Sequence, residues 1–473
     1  TTDFSEALVE LVTPALTDHT QVLGFHSDLH AEVYRHLGDE LLWVTSMPCV
    51  LSGARNIPLA VYGSSNAATM KTAYRRGLGN RYGRTMQVIA GVHFNFSFAN
   101  TFWSTYLAML GEAGDPVAAR SAHYMGMVPN LQRIGWLVPY LFGASPAVCA
   151  SFVQGRETDL EAFDTHTQYG PFATSLRMGD IGYQNQQEAG TGMKASSDSL
   201  DAYVRSLTWA IETPCPQYEQ IGVKVGSRYE QLNANVLQIE NEYYSTVRPK
   251  QITEWMEKPT PALKRRGVRY VELRSLDLDP FAAVSIGPEQ LAFLDTLMLY
   301  CLLAESPRIG AAERRAIDDN QVRTAHRGRD PDLMLAHDGE EAPLAAWARE
   351  VLDRMAPVAE LLDGGSDGPR SRNLARQRDK VDDPELTPSA RVLREMRENG
   401  EGFFAFADRI AEGRRAEFAA RPPSPDRDRL FAEMAEASRL RQREIEDADR
   451  EDFDTFLACY FAQGRAADPP AAR

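Results

Sequence analysis

The sequence predicts an α+β fold of mostly antiparallel strands surrounded by many helices, and three observations lead there. Two stretches, GVHFNFSF (91–98) and VRYVELRSL (268–276), alternate side-chain character at the period of two that a half-buried strand requires. Beyond Gly287 the pattern changes to helices joined by charged connectors. The glycine signatures of dinucleotide-binding and phosphate-loop folds are missing: GLGNRYG has Tyr82 where GxGxxG requires glycine, and no GxxxxGKS/T occurs.

Composition bounds the function. At 473 residues, 43% hydrophobic and 25% charged, the chain is long enough to bury a large core and polar enough to be globular. A net charge of −15 excludes nucleic acid as the expected partner, because that contact needs a positive field. Five cysteines, widely spaced and without CxxC, suggest neither a zinc ribbon nor a disulfide framework and fit a reducing cytoplasm. The most apolar run, 134–153, is broken by Gly135, Pro139, Gly143 and Pro146, so it reads as buried turns and short helices rather than a membrane span.

In chain order, residues 1–14 carry Asp3, Glu6 and Glu10 among apolar residues. On one regular strand Asp3 and Glu10 face opposite ways; a bend or a helix brings them together. A helical stretch to about Leu42 holds His26 and His30 at i, i+4, which without an HExxH glutamate reads as a surface coincidence. After the loop-rich segment 51–69, a helix with Met70, Tyr74 and Leu78 on one side leads into the strand at 91–98. There Val92, Phe94, Phe96 and Phe98 form the apolar face, and Gly91, His93, Asn95 and Ser97 the polar one. That polar side either meets solvent, as in ordinary antiparallel sheets, or lines a wet cavity.

Residues 183–200 form a polar Gln- and Gly-rich loop, a lid or a surface connection. The segment 233–250 begins as a strand and ends in an aromatic and a basic pair. On the strand from Val268, Tyr270, Glu272, Arg274 and Leu276 share one face. Glu272 beside Arg274 is either a surface salt bridge or a carboxylate poised to hold a metal next to a guanidinium that grips an anion. The helix from Leu430 places Leu430, Met434 and Ala437 on one stripe, and the mixed charges of 439–454 read as a solvated face. Residues 1–286 are expected to form a catalytic sheet core with surrounding helices, and 287–473 a helical supporting region of the same compact unit.

Ten blocks, DFSEALVELVTP, GDELLWVTSMPC, YGSSN, KTAYRRGL, NRYG, MQVIAGVHFNFSF, WLVPYLFGASPAVCASF, ATSLRMGDIGY, NVLQIENEYYSTVRPK and YVELRSLDLDPF, resemble in that order the proteobacterial-type glutamate–cysteine ligases. The resemblance implies a funnel-like sheet related to the glutamine synthetase catalytic domain. It implies the first step of glutathione synthesis: ATP-dependent joining of the L-glutamate γ-carboxylate to the L-cysteine amine through a γ-glutamyl phosphate. By that resemblance Asp3, Glu10, His93 and Glu272 match metal-site residues for Mg2+, with Mn2+ as an alternative. Arg177 and Arg274 match arginines that hold glutamate or the reacting phosphoryl group. Phe4, Tyr74, Leu78, Gln87, Tyr183 and Tyr244 match the cysteine pocket, Asn95 joins them as a substrate contact, and Arg75, Arg248 and Lys250 match phosphate contacts for ATP.

Family members begin with a further segment whose Gly-x-Glu-x-Glu-like strand supplies two metal-binding glutamates, and nothing here matches it. The expectation is a shortened chain with impaired catalysis. The rival readings are a related ATP-dependent carboxylate–amine ligase and a catalytically impaired binding relic. A cytoplasmic monomer, with no nucleic-acid or membrane partner, completes the expectation.

Overall fold

A computed structural model describes residues 1–182, 193–422 and 424–464. Its central sheet has three strands, β1 (Val92–Phe96), β2 (Val247–Lys250) and β3 (Tyr270–Leu276), in the order β1-β3-β2, with both pairings antiparallel. A second antiparallel sheet joins Ala147–Cys149, Thr167–Tyr169 and Glu161–Ala162, and two hairpins complete the strands among the described residues. The α+β, antiparallel expectation therefore holds. The sheets are small, however, and the described strands do not join into one broad funnel.

Helices enclose the sheet. The first, α1 (His19–His36), is capped by Asp18, whose carboxylate accepts from the Gln21 N–H. Next, α2 (Asn66–Tyr82) is capped by Ser65 and buries Met70, Ala73, Gly77 and Leu78. Further along, α3 (Pro116–Arg133) packs on α4 (Pro288–Leu303), whose face of Leu291, Phe293, Leu294, Leu297 and Met298 is fully buried. One hydrophobic core runs from Phe4 through the 137–142 turn of helix to Phe418. The apolar run at 134–153 is buried within it, and no helix among the described residues is long and apolar enough to cross a membrane.

The structure corrects several expectations. Leu276 does not share a face with Glu272: the β1–β3 register shifts between Val92 and Phe94, so Leu276 pairs with Val92 and is buried among apolar neighbours. Segment 233–246 is not a strand; it is a run of turns with a short 3-10 helix, Glu240–Glu242, held by side chains. His26 and His30 are not a surface coincidence. His30 is buried, its Nδ1 lies 2.9 Å from the His26 carbonyl, and its ring stacks on Phe418 of α5 (Phe403–Ala419). On the last long helix, α6 (Pro425–Ala448), the buried anchor is Phe431 against Phe25, while Met434 is exposed.

Cys49 and Cys149 are joined as a disulfide, a single pair where the spacing suggested no disulfide framework. Spacing cannot reveal this pair, because the fold brings together segments 100 residues apart, also tied by a Leu51 N–H to Ser151 Oγ bond. Cys215, Cys301 and Cys459 are free thiols.

Candidate active site

The central sheet presents one charged face. Alternation puts His93 and Asn95 of β1, Glu272 and Arg274 of β3, and Arg248 and Lys250 of β2 on it, while Phe94, Phe96, Val271, Leu273 and Val247 point the other way. Antiparallel register then aligns Asn95, Glu272 and Arg248 in one row across the three strands. The register shift beside it carries His93 over Arg274. Arg274 Nη1 stands 3.2 Å from Glu272 Oε1 and 3.4 Å from His93 Nδ1, and His93 Nδ1 lies 4.0 Å from the same carboxylate. The polar side of the 91–98 stretch therefore lines a cluster of charges.

Electrostatics fix the protonation of this cluster. Burial works against a charge on Glu272, but Arg274, Lys250 and Arg248 overcome it and hold its carboxyl at about 2, well below the ordinary range. Loss of hydration and then the Arg274 guanidinium push His93 down to about 3. At neutral pH the pair is a carboxylate beside a neutral imidazole. Arginine can only donate, so His93 Nδ1 accepts and its proton resides on Nε2. Burial likewise lowers Lys250, with Glu272 opposing.

Arg177 comes from a short 3-10 helix, Leu176–Met178, and is 2% exposed. Its Nη2 donates to the Arg274 carbonyl at 2.8 Å, and its Nη1 is 3.8 Å from the buried carboxylate of Asp277. Asp277 accepts in turn from Ser145 Oγ at 2.6 Å, Ser175 Oγ at 2.8 Å and the Ala144 N–H at 2.8 Å. Sequence reasoning marked Arg177 but missed Asp277 and Gly91, against which the guanidinium packs.

The residues expected at the cysteine pocket are mostly buried. Phe4 and Leu78 are buried in the core, Tyr74 is half-buried on α2, and Tyr244 Oη donates to Gln87 Oε1 at 2.9 Å. Gln87 Nε2 is buried and has no hydrogen-bond partner among the described residues. Tyr183, and with it most of the 183–200 loop, lies outside the described residues.

Asp3, Glu10 and Arg75 stand apart from this face. Residues 1–10 fold back on themselves, with Thr2 bridged to Val9 and the Asp3 N–H donating to the Leu8 carbonyl. Asp3 pairs with Arg75 at 3.4 Å, and Glu10 accepts from Thr1 Oγ1 at 3.3 Å. Arg75 also lies over the Tyr62 ring, 4.6 Å from its centroid. Arg248 donates to the carbonyls of Asn241 and Tyr243 and sits 3.9 Å from Glu272. Among the described residues no three carboxylate, imidazole or thiol groups converge into a metal-holding cluster. The available pair is His93 with Glu272, whose Oε2 is buried without a hydrogen bond among the described residues.

A family model described as glutamate–cysteine ligase matches residues 1–324. The chain is 46% identical over 468 residues to the glutamate–cysteine ligase of Alcanivorax borkumensis, a match spanning 98% of this chain and 89% of that protein. It is 46% identical over 467 residues to that of Pseudomonas paraeruginosa, spanning 98% and 87%. Among solved structures, the glutamate–cysteine ligase of Francisella tularensis in complex with AMP matches with a TM-score of 0.91 and 32% identity, over 98% of this chain and 91% of that one. A bifunctional glutathione synthetase from Pasteurella multocida shares the fold at a TM-score of 0.69 and 23% identity, over 89% of this chain and 48% of that one.

Proposed function

The chain belongs to the glutamate–cysteine ligase family, and from that membership we propose that the charged face of β1, β2 and β3 is where its reaction takes place. That reaction is the ATP-dependent joining of the L-glutamate γ-carboxylate to the L-cysteine amine, the first step of glutathione synthesis. The AMP bound by the Francisella relative supports ATP as co-substrate.

The observation that carries the assignment is Glu272, held ionised at about 2 between Arg274, Lys250 and Arg248 and facing neutral His93 at 4.0 Å. ATP transfers its γ-phosphoryl group to the glutamate γ-carboxylate and leaves as ADP. The cysteine amine then attacks the acyl carbon, phosphate departs, and the nitrogen loses a proton. Negative charge moves in both steps, and Arg274 and Arg177 are the guanidinium groups beside it. Arg274 contacts the reacting oxygens and buried Arg177 braces it through its backbone carbonyl. Glu272 and His93 would supply the anionic oxygen and neutral nitrogen that suit a divalent cation, Mg2+ or Mn2+; Asp3 and Glu10, which the family resemblance also puts at the metal, stand apart from that pair. Such a cation, when bound, neutralises phosphate oxygens.

Cysteine is the ligand of the wall formed by Phe4, Tyr74, Leu78 and Tyr244, a surface suited to a small thiol, with Asn95 beside the charged row. Gln87 Nε2, without a hydrogen-bond partner among the described residues, is a donor for its carboxylate. Arg75 and Lys250 remain candidates for the nucleotide phosphates. Action as a monomer is part of the same proposal, and dependence on ATP supports a cytoplasmic setting. Phosphate release measured with each component withheld in turn tests the proposal. Release that requires ATP, glutamate, cysteine and Mg2+ together is expected; release indifferent to cysteine would contradict it.

A further inference from the structure

The acceptor wall is assembled from two parts of the chain that share no secondary structure. Tyr74 and Leu78 ride on α2, whereas Tyr244 follows the Glu240–Glu242 turn. Between them lies a fully buried ion pair: Arg81 Nη1 and Glu242 Oε1 are 2.9 Å apart, and neither side chain has any exposed surface. Neither group can touch a substrate.

Most of their other contacts tie α2 to residues 231–242. Arg81 Nε donates to Gln231 Oε1 at 2.9 Å, its Nη2 donates to the Asn233 carbonyl at 2.6 Å, and its guanidinium lies 4.1 Å over the Tyr218 ring. Glu242 Oε1 also accepts from Tyr82 Oη at 2.6 Å, and Oε2 from the Gln238 N–H at 2.6 Å. The amide of Gln238 in turn crosses α2 at Gly77. There it accepts from the Leu232 N–H at 2.9 Å and donates to the Tyr74 carbonyl at 3.3 Å. A β-carbon at Gly77 would collide with that amide, which must then shift. Finally, the Tyr82 ring meets Tyr244 edge-on, with centroids 6.0 Å apart.

We propose that the Arg81–Glu242 pair, with Tyr82 and Gln238, is a positioning clamp that sets the spacing between the two walls of the cysteine pocket. The clamp rests on the reading of that pocket given above. Buried ion pairs contribute little net stability compared with packed apolar residues, so what this one supplies is a fixed geometry. Its loss therefore acts on one substrate. Loosening the clamp moves Tyr244 and Gln87 relative to Tyr74 and Leu78, while the charged row on β1, β2 and β3 keeps its own contacts.

The test is steady-state kinetics on the full chain, with each KM measured separately. Tyr82→Phe removes one hydrogen bond but keeps the ring against Tyr244, and Gly77→Ala displaces Gln238. Both are expected to raise the KM for cysteine about fivefold or more, leaving those for glutamate and ATP within about twofold. Glu242→Gln is liable to unfold, so those two variants carry the result, with melting temperatures recorded beside them. Tyr244→Ala separates the clamp from the pocket. If it raises the cysteine KM while Tyr82→Phe and Gly77→Ala leave all three unchanged or shift them equally, the clamp is overturned and the pocket stands. If Tyr244→Ala leaves the cysteine KM unchanged, the pocket reading falls and takes the clamp with it.

Discussion

The guanidinium of Arg177 fills the space beside Gly91 that a β-carbon there would need. Gly91 precedes His93 by two residues, so the strand that carries the imidazole also sets the position of the buried arginine. Side-chain bulk at 91 must push Arg177 away from the Arg274 carbonyl, 2.8 Å from its Nη2. Gly91→Ala is therefore expected to lower kcat/KM for glutamate at least tenfold, an effect of about 1.4 kcal/mol or more on the transition state. Unchanged glutamate kinetics would show that Arg177 takes no part.

Asp277 holds the other side of Arg177. Its oxygens accept from Ser145, Ser175 and the Ala144 N–H, and the last of these cannot reverse its role. Asparagine can present its oxygen to Ala144 and Ser145, but its NH2 then faces Ser175 and the guanidinium. Breaking a buried charge pair from one side typically costs about 3–5 kcal/mol. Asp277→Asn is expected to lose stability of this order in urea denaturation, and Asp277→Ala at least as much.

Acid stability follows from Glu272 and His93. Glu272 ordinarily titrates at 4.5 and here at about 2, so its contribution is complete above 4.5 and is lost as pH falls toward 2. His93 is lowered from 6.5 to about 3; the unfolded chain takes up its proton first, and stability again declines as pH falls through that window. His93→Gln is expected to flatten the upper part of the stability–pH curve, from 6.5 downward, and Glu272→Gln the part below 4.5. Denaturant midpoints across the acid range check both, and a wild-type curve that rises with acidity would contradict the sign.

Local patterns were legible and distant pairings were not. Alternation located β1 and β3 and put His93 with Asn95 and Glu272 with Arg274 on single faces, because a strand's period depends only on neighbouring residues. It misplaced Leu276, since a register shift depends on the partner strand. The Arg81–Glu242 pair spans 161 positions, and Arg81 within GLGNRYG looked like part of a phosphate-loop imitation rather than a buried cation. Glu446 and Asp449 read as solvated helix charges. In the fold they accept the Ser64 and Asn66 N–H groups at the start of α2. Gly77 and Gly91 carried no signal of their own, because what they make room for comes from elsewhere in the chain.

Glu272 is proposed as a reacting-site carboxylate whose charge, rather than its shape, is needed. Glu272→Gln keeps the shape and removes the charge, so the direct measurement is kcat of this variant at saturating ATP, glutamate, cysteine and Mg2+, with circular dichroism to establish that it is folded. The expected result is a folded protein whose kcat falls on the order of 100-fold or more. A folded variant with unchanged kcat and bound metal would contradict it.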